Sequence, residues 1–301
     1  MVAVSVLLLT KNGSPELERL LPALYSQEEV PSFEVVAIDS GSIDHTISLL
    51  HQYPVRLVQI PPHAFHHART RNLAASLATG DILVLLSQDA IPENNRWLHN
   101  LLANFDDPGV GAVYGRQIPK PDSFHERHET FDSIYGPSRI VKDPNQPNCV
   151  GYRFFLFSDA NAAIRRSVWQ ATPFPEQLKV FEDIGIAKRI LDSGWKIIYE
   201  PEATVVHSHN HNAVALLKRY FDIGYTLKKL KIWDDPATRR SLARDAGKML
   251  LRKFARRNSQ PRSGTVIQEY LAKSLGLFLG INQSRLPLAV KRHLSAYRVF
   301  E

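Results

Sequence analysis

The sequence predicts an α/β fold in which a mostly parallel sheet is flanked by helices, followed by a C-terminal helical appendage. Two observations predict it. Apolar, β-branched runs alternate with segments of helical spacing over the first 90 residues, and residues from 213 onward show helical spacing with many Lys and Arg residues. Because the apolar runs do not alternate with polar residues, the strands should be covered on both faces, as in parallel sheets between helices.

Four strands are expected in the first 90 residues, with helical segments between them, as in a nucleotide-binding half-domain. The first helix follows the first strand. Ser14 is expected to be the N-cap of the helix, with Pro15 at its first position. The buried stripe of this helix should consist of Leu17, Leu20, Leu21 and Leu24. The predicted strands are Val2–Leu9, Phe33–Ile38, Val55–Ile60 and Ile82–Leu86.

The middle of the chain is expected to contain long loops. Residues 119–150 are rich in Pro, Asp, Asn and His and show little periodicity, and long loops often form functional lids. Beyond them, a helix over about Phe181–Asp192 should end at Gly194. The remaining expected segments are Phe154–Phe157, Ala162–Arg165, the strands Trp195–Tyr199 and Thr204–His207, and helices with apolar faces over Leu216–Tyr225 and Leu242–Phe254.

The charge of the chain is divided unevenly. Residues 1–212 carry 18 Lys and Arg against 24 Asp and Glu, whereas residues 213–301 carry 19 against 6. This change predicts a catalytic domain at 1–212 and a basic helical region at 213–301. Such a basic region favours an anionic partner, either membrane headgroups or nucleic acid.

Composition also limits the location of the protein. With 44% hydrophobic and 22% charged residues the chain is typical of a globular protein. A single cysteine, Cys149, excludes an intrachain disulfide and fits a reducing compartment. The N-terminal apolar run lacks a leading basic region and a cleavage site, so it predicts a strand and not a signal peptide. We therefore expect a cytoplasmic protein, with peripheral contact to the inner face of the membrane as a further expectation.

Two aspartates follow apolar strands. Asp39 precedes the turn Ser40-Gly41-Ser42, and Asp89 follows the strand that ends near Leu86. Ligands of open parallel sheets bind beyond the carboxyl ends of the strands, so Asp39 suits a ribose or base and Asp89 suits a metal and diphosphate. We expect their strands to be neighbours. Each aspartate could instead cap the helix that follows it.

Basic residues open one of the predicted helices. Arg69 and Arg71 follow Phe65-His66-His67, and guanidinium groups near a helix N-terminus favour phosphate. Arg69 could equally belong to a solvated basic turn, whereas a functional role is favoured for Arg71.

Two further clusters could carry chemistry. Glu182 and Asp183 begin a helix, where the helix dipole alone accounts for acids, but Asp183 also suits a catalytic base. His207, His209 and His211 alternate after a strand, which would place them on one face. One histidine joining Asp89 at a divalent ion is a simpler interpretation than a zinc site.

The order of these motifs resembles family 2 glycosyltransferases with the GT-A (Rossmann-like) fold. The resemblance covers about residues 1–210. Its motifs are Thr10-Lys11-Asn12, Asp39-Ser40-Gly41-Ser42, Arg71-Asn72, Gln88-Asp89-Ala90, Ser158-Asp159-Ala160-Asn161, Glu182-Asp183 and His207.

The resemblance implies an inverting transfer of a sugar from a nucleotide-sugar donor to a glycan or lipid-linked acceptor, with Asp183 as general base beside Glu182. It implies Mg²⁺ or Mn²⁺ bound by Asp89 and His207. Donor-binding residues would be Thr10, Lys11, Asn12, Asp39, Ser40, Arg71, Gln88 and Asp89, and the sugar or acceptor would contact Asp159, Asn161 and His66.

One position departs from the family pattern. Ser87 stands where the family's metal motif has its first acid, so the donor's own phosphates would supply more of the metal ligands. The form Gln88-Asp89-Ala90 is similar to that of bacterial rhamnosyltransferases, which implies dTDP-rhamnose as the donor.

Two other functions fit parts of the sequence. A nucleotidyltransferase, or another nucleotide-binding α/β enzyme, would use strand-end acids and a basic loop, although it would normally have a glycine-rich phosphate loop that 11–14 lacks. A membrane- or nucleic-acid-binding module would use the basic C-terminal region. The aromatic residues of that region have helical spacing, which favours packing over base stacking, so no nucleic acid partner is expected.

Overall fold

The computed structural model describes residues 3–121, 131, 134–146, 151–209, 211–244 and 263–300, with only the backbone for 263–267. Two compact units are present. The first comprises residues 1–146, 157–176 and 182–209, and the second comprises 147–156, 177–181 and 210–301. The domain boundary predicted between residues 212 and 213 from charge stays a prediction.

The first unit is built on one sheet. Its strands, within the described residues, are β1 (Val4–Thr10), β2 (Phe33–Asp39), β3 (Val55–Gln59), β4 (Ile82–Ser87), β5 (Ile91–Pro92), β6 (Val110–Ile118), β7 (Ile140–Lys142), β8 (Asn161–Arg165) and β9 (Lys196–Val206). Their order is β3-β2-β1-β4-β8-β6-β9-β5, and β7 also pairs with β9.

The helices extend over both units. They are α1 (Ser14–Tyr25), α2 (Thr46–Leu50), α3 (His67–Leu77), α4 (Trp97–Leu102), α5 (Tyr152–Phe155), α6 (Arg166–Ala171), α7 (Glu182–Asp192), α8 (Ala213–Lys229), α9 (Ser263–Ile281) and α10 (Leu288–Leu294). Residues 236–244 are also helical, and short 3₁₀ turns lie at Pro62–Ala64, Ala103–Asp106 and Gln283–Arg285.

The sheet is parallel in its first half and mixed beyond it. Strands β3, β2, β1 and β4 are all parallel, whereas β8 runs antiparallel to β4 and β6. Because β8 runs in reverse, its first residues lie at the carboxyl end of β4, where Leu86 pairs with Asn161. The expectation that the strands before Asp39 and Asp89 are neighbours is wrong, since β1 lies between β2 and β4.

Several predicted elements were correct in kind but not in detail. The stripe of α1 is completely buried, but Gly13 precedes the helix and Ser14 is its first residue, so Ser14 is not the N-cap. The two strands predicted near 195–207 are one strand, β9, and 152–155 is a helical turn. The region expected to be loops contains β7.

The second unit contains α8 and α9 packed closely together. Added Cβ atoms at Gly276 and Gly280 would lie 2.3 and 2.0 Å from the carbonyl oxygens of Leu217 and Phe221, so only glycine permits this approach. The predicted helix over 216–225 lies within α8, and most of the one predicted over 242–254 lies outside the described residues. Among the described helices, none combines the length and apolarity needed to cross a membrane.

Candidate active site

Several predicted site residues of the first unit lie at the carboxyl ends of β1, β2 and β4. Thr10 and Asp39 end two adjacent parallel strands and are paired in register. Gln88 and Asp89 follow β4 on the other side of β1. Parallel strands thus bring three separate motifs to one edge of the sheet, the usual place for a ligand in such folds.

Asp39 organises the loop that follows β2. Its carboxylate is 1% exposed and accepts hydrogen bonds from the hydroxyls of Thr10 and Ser42, at 3.0 and 2.5 Å, and from the backbone N–H groups of Gly41 and Ser42, both at 2.9 Å. Gly41 has a φ of +87°, and a Cβ there would lie 2.7 Å from Pro62 Cγ. The Asp39 side chain therefore holds this loop, and the alternative that it caps the following helix is wrong, because the N-cap of α2 is His45.

The loop after β1 is held in the same way. The side-chain amide of Gln88 accepts from the Lys11 N–H at 2.9 Å and donates to the Lys11 carbonyl at 3.1 Å. Asn12 has a φ of 46°, and its side chain accepts from the N–H of Ile43 at 2.9 Å. The Ser40 hydroxyl donates to the Thr10 carbonyl at 3.2 Å. The predicted donor-binding residues of β1, β2 and β4 thus form one connected polar floor.

Asp89 lies between two imidazoles. Its Oδ1 is 3.4 Å from His207 Nε2, and its Oδ2 is 3.6 Å from His209 Nδ1. One ligand atom from each of these three residues lies within 4.8 Å of the others. A carboxylate and two imidazoles converging in this way suit a divalent cation such as Mn²⁺. We call Asp89, His207 and His209 the histidine cluster. His209 was missed as a ligand, although the alternating histidines indicated it.

The electrostatics of the histidine cluster favour an ionised Asp89. Burial by itself raises the pKa of Asp89, but the hydrogen bond from His207 and the charges of His207 and His209 outweigh burial and lower it to about 2. Beyond Asp89, His207 Nδ1 lies 2.8 Å from the side-chain oxygen of Gln117 on β6. Gln117 could not be found from sequence, because its strand was not predicted.

The second cluster is built around Arg71. Its Nε lies 2.9 Å from Asp159 Oδ2 and its Nη1 lies 2.9 Å from Glu182 Oε1. All three side chains are about 10% exposed. We call Arg71, Asp159, Glu182 and the adjacent Asp183 the acid cluster. Arg71, predicted to contact the nucleotide, thus has a structural role that sequence reasoning missed: it neutralises two buried carboxylates.

Two carboxyl groups of the acid cluster, those of Asp159 and Asp183, have raised pKa values. Burial raises the pKa of Asp159 to about 6 against the opposing charge of Arg71, and Glu182 adds to the rise. Burial and the negative charges of Asp159 and Glu182 raise the pKa of Asp183 well above its usual range. Three acids share one guanidinium, so a proton is retained among them at higher pH than an isolated aspartate would allow.

Tyr135 completes this cluster from the middle of the chain. Burial raises the pKa of its hydroxyl, a hydrogen bond with Ser158 opposes the rise, and the charges of Asp183 and Asp159 add to it. Its ring also packs against Tyr199 of β9. Tyr135 lies in the 119–150 segment, which shows little periodicity, so no sequence pattern distinguishes it from its neighbours.

Three other residues considered from the sequence, Asn161, His66 and Arg69, have contacts within the protein. Asn161, expected to line the sugar or acceptor site, is instead completely buried: its amide donates to the carbonyls of Arg116 and Ala203 and accepts from Trp97. It therefore cross-links the core and does not face a ligand. His66 is the N-cap of α3, accepting weakly from the N–H of Arg69 at 3.4 Å. Arg69 is 62% exposed and pairs with Glu176, as expected for a solvated basic turn.

Comparisons with known proteins show which family the chain resembles. The family model of glycosyl transferase family 2 matches residues 5–171. An O-antigen chain rhamnosyltransferase of Salmonella anatum is 33% identical over 299 residues, covering 96% of this chain and 92% of the relative. Another O-antigen chain rhamnosyltransferase, from Salmonella typhimurium, is 30% identical over 309 residues, covering 99% of this chain and 95% of the relative.

A solved structure supports the fold. The mannosyltransferase PcManGT from Pyrobaculum calidifontis, determined in complex with GDP-Man and Mn²⁺, superposes with a TM-score of 0.60 at 20% identity, covering 91% of this chain and 86% of that one. The predicted GT-A type of α/β fold is confirmed. The first unit thus contains ligands suited to a divalent cation and carboxyl groups of raised pKa. Such a cation can stabilise the charge of a leaving group, and such a carboxyl group can accept a proton.

Proposed function

The chain belongs to glycosyl transferase family 2, and from that membership we propose that it transfers rhamnose from dTDP-rhamnose to a hydroxyl group of an O-antigen chain. That it is a glycosyltransferase using a nucleotide-sugar donor follows from the family. The assignments of rhamnose and of an O-antigen acceptor rest on the similarity to two O-antigen chain rhamnosyltransferases over almost their whole lengths. The form Gln88-Asp89-Ala90 supports the same donor.

The histidine cluster would bind the diphosphate end of the donor. Asp89, His207 and His209 would hold Mg²⁺ or Mn²⁺, with the donor's phosphate oxygens supplying further ligands because Ser87 is not an acid. The bound cation would offset the negative charge that develops on the leaving diphosphate. The polar floor of Thr10, Asp39 and Asn12 would receive the nucleoside.

The acid cluster would remove the acceptor proton. The acceptor oxygen forms a bond to the anomeric carbon while the bond from that carbon to the diphosphate oxygen breaks, which inverts the configuration. The hydroxyl proton passes to the carboxylate of Asp183, and the electron pair of the broken bond leaves with dTDP. A raised pKa makes Asp183 a better proton acceptor than an ordinary aspartate.

Arg71 would keep this base in position. Its ion pairs with Asp159 and Glu182 stop both carboxylates from repelling an ionised Asp183 at full strength. We therefore assign Arg71 a positioning role beside the base, in addition to the nucleotide contact predicted from resemblance.

Donor screening tests the proposal. We expect release of dTDP from dTDP-rhamnose in the presence of Mn²⁺ or Mg²⁺, with turnover lost in EDTA and slower turnover of UDP-, GDP- and other dTDP-sugars. Turnover of another nucleotide sugar in preference to dTDP-rhamnose would refute the rhamnose assignment. Release of pyrophosphate in place of a nucleoside diphosphate would indicate the nucleotidyltransferase alternative.

We also propose that the second unit contacts the membrane that carries a lipid-linked acceptor. Leu271, Leu275 and Phe278 have helical spacing on α9, and 58%, 49% and 63% of their surfaces are exposed. They lie on the side of the helix opposite Gly276 and Gly280, which pack against α8. Residues 213–301 carry 19 Lys and Arg against 6 acids. An apolar stripe on a basic region suits an anionic bilayer surface.

Vesicle sedimentation tests the membrane contact. The protein should bind phosphatidylcholine vesicles containing phosphatidylglycerol better than vesicles of phosphatidylcholine alone, and the double substitution Leu275→Ser and Phe278→Ser should weaken that binding. Ile43→Ser, which changes a 92% exposed apolar residue of the first unit, is the control and should leave binding unchanged. Equal binding to both vesicles would reject the proposal. A dimer that the double substitution dissociates would assign the face to a second copy of the chain.

A further inference from the structure

A chain of hydrogen bonds connects the histidine cluster with the acid cluster. Starting at His207, Nδ1 lies 2.8 Å from Gln117 Oε1, and Gln117 Nε2 donates to the Ser158 hydroxyl at 2.7 Å. The Ser158 hydroxyl also acts on Tyr135, because it lowers the pKa of the Tyr135 hydroxyl against the charges of Asp183 and Asp159, which raise it. Gln117 is only 4% exposed. Buried Gln117 and the half-buried Ser158 and Tyr135 thus lie between two clusters of different chemistry.

The bonds of this chain share one direction. An amide oxygen only accepts, so His207 Nδ1 donates to Gln117. Nε2 then faces Asp89, to which it donates when no cation is bound, and it is the nitrogen that would bind a cation. The amide nitrogen of Gln117 only donates, so Ser158 accepts from it and its own hydroxyl proton is available to Tyr135. The Tyr135 hydroxyl proton then remains available to a further acceptor. Each member fixes the role of the next.

We propose that Gln117 and Ser158 are positioning residues that couple the two ends of the active site, an inference that rests on the proposed function. Gln117 fixes the ring of His207 so that Nε2 would face a bound cation, as hydrogen-bond acceptors behind metal-binding histidines do. Through Ser158, the same amide fixes the direction of the Tyr135 hydroxyl beside Asp183. The Tyr135 hydroxyl can then donate a hydrogen bond to the acceptor sugar while Asp183 removes the proton of the acceptor hydroxyl.

Three substitutions separate the two halves of this coupling. Gln117→Leu removes both hydrogen bonds at similar volume. Gln117→Glu keeps an acceptor for His207 Nδ1, but its carboxylate also accepts from Ser158 and so turns the Ser158 hydroxyl away from Tyr135. Ser158→Ala removes the link to Tyr135 and leaves the bond between Gln117 and His207 in place.

The measurements are Mn²⁺ affinity, by electron paramagnetic resonance of free Mn²⁺ with and without dTDP, and kcat with the nucleotide sugar that the parent enzyme turns over. We expect Gln117→Leu to weaken Mn²⁺ binding about tenfold or more and to lower kcat. A loss of this size is usual when the hydrogen-bond partner of a metal-binding histidine is removed. Gln117→Glu and Ser158→Ala should share another phenotype, with parental Mn²⁺ affinity and reduced kcat. Melting temperatures show whether each variant is folded.

The outcomes separate this inference from the proposed function. Parental Mn²⁺ affinity in a folded Gln117→Leu variant overturns it. Parental kcat in both Gln117→Glu and Ser158→Ala also overturns it, and this arm suffices where Gln117→Leu does not fold. A parent enzyme that binds no Mn²⁺ refutes the proposed cation site together with this inference, whereas a donor other than dTDP-rhamnose refutes only the sugar assignment.

Discussion

Asp89 and Asp183 lie in the same unit, yet the pKa of Asp89 is lowered and that of Asp183 is raised. Burial raises the pKa of both, but two imidazoles beside Asp89 reverse the effect, whereas Asp159 and Glu182 beside Asp183 increase it. The charge of the neighbours therefore decides what each aspartate can do. A carboxylate that stays ionised can hold a cation, and one that holds its proton tightly can act as a base.

The largest expected effect concerns the acid cluster. Asp183→Asn should lower turnover by roughly 10²–10⁴-fold, the usual contribution of a general base, because an amide cannot accept the acceptor proton. Nucleotide binding should change by only a few-fold, since the histidine cluster is untouched. Steady-state kinetics and dTDP titration measure the two effects.

Asp192→Asn is the matched control for this variant. Asp192 ends the helix that Asp183 helps to begin, and its side chain is 57% exposed and paired with Lys188. Its substitution should leave turnover near the parental value. Normal turnover in Asp183→Asn would show that Asp183 is not the general base.

The second prediction compares two arginines of α3. Arg71→Ala leaves two buried carboxylates without their partner, which should lower the free energy of unfolding by roughly 3–5 kcal/mol. Arg69→Ala removes an exposed ion pair with Glu176 and should cost less than about 1 kcal/mol. Urea unfolding followed by circular dichroism measures both. Equal losses in the two variants would contradict the role given to Arg71.

The contrast between these arginines also shows how far the sequence could predict the site. Apolar runs ending in acids located Asp39 and Asp89, because strands and their ends are local signals. Arg71 and Glu182 are 111 residues apart, and no local pattern indicates that they meet. Asn161 was expected to line the sugar or acceptor site because the family resemblance implied it, and only its three hydrogen bonds in the core reveal its structural role.

The fold beyond β4 was less predictable. The reversal at β8 and the position of β1 between β2 and β4 depend on pairing between distant strands, which hydrophobic runs do not encode. Gln117 lies on β6 and Tyr135 in the segment expected to be loops, so the connection between the clusters could be seen only in three dimensions.

The third prediction concerns the two imidazoles of the histidine cluster. His207→Ala should weaken Mn²⁺ binding by more than about tenfold, because it removes a direct ligand where loss of even an outer-shell partner usually has that effect. His209→Ala should weaken it less, since the His209 side chain is 52% exposed and that of His207 is 11% exposed. Titration of Mn²⁺ in the presence of dTDP measures the difference. A larger loss in His209→Ala would make His209 the principal ligand.

The smallest expected effect is a change in pH dependence. Asp183 must be ionised to act as a base, so kcat/KM should rise as pH increases through its raised pKa. Asp159→Asn removes one of the charges that raise this pKa and leaves Arg71 closer to neutralising the remaining acids, so the acid limb of the profile should move to lower pH. Glu176→Gln, which alters the exposed partner of Arg69, should leave the limb in place. A limb that stays at the parental pH, or moves to higher pH, in Asp159→Asn would show that Asp159 does not control the ionisation of the base.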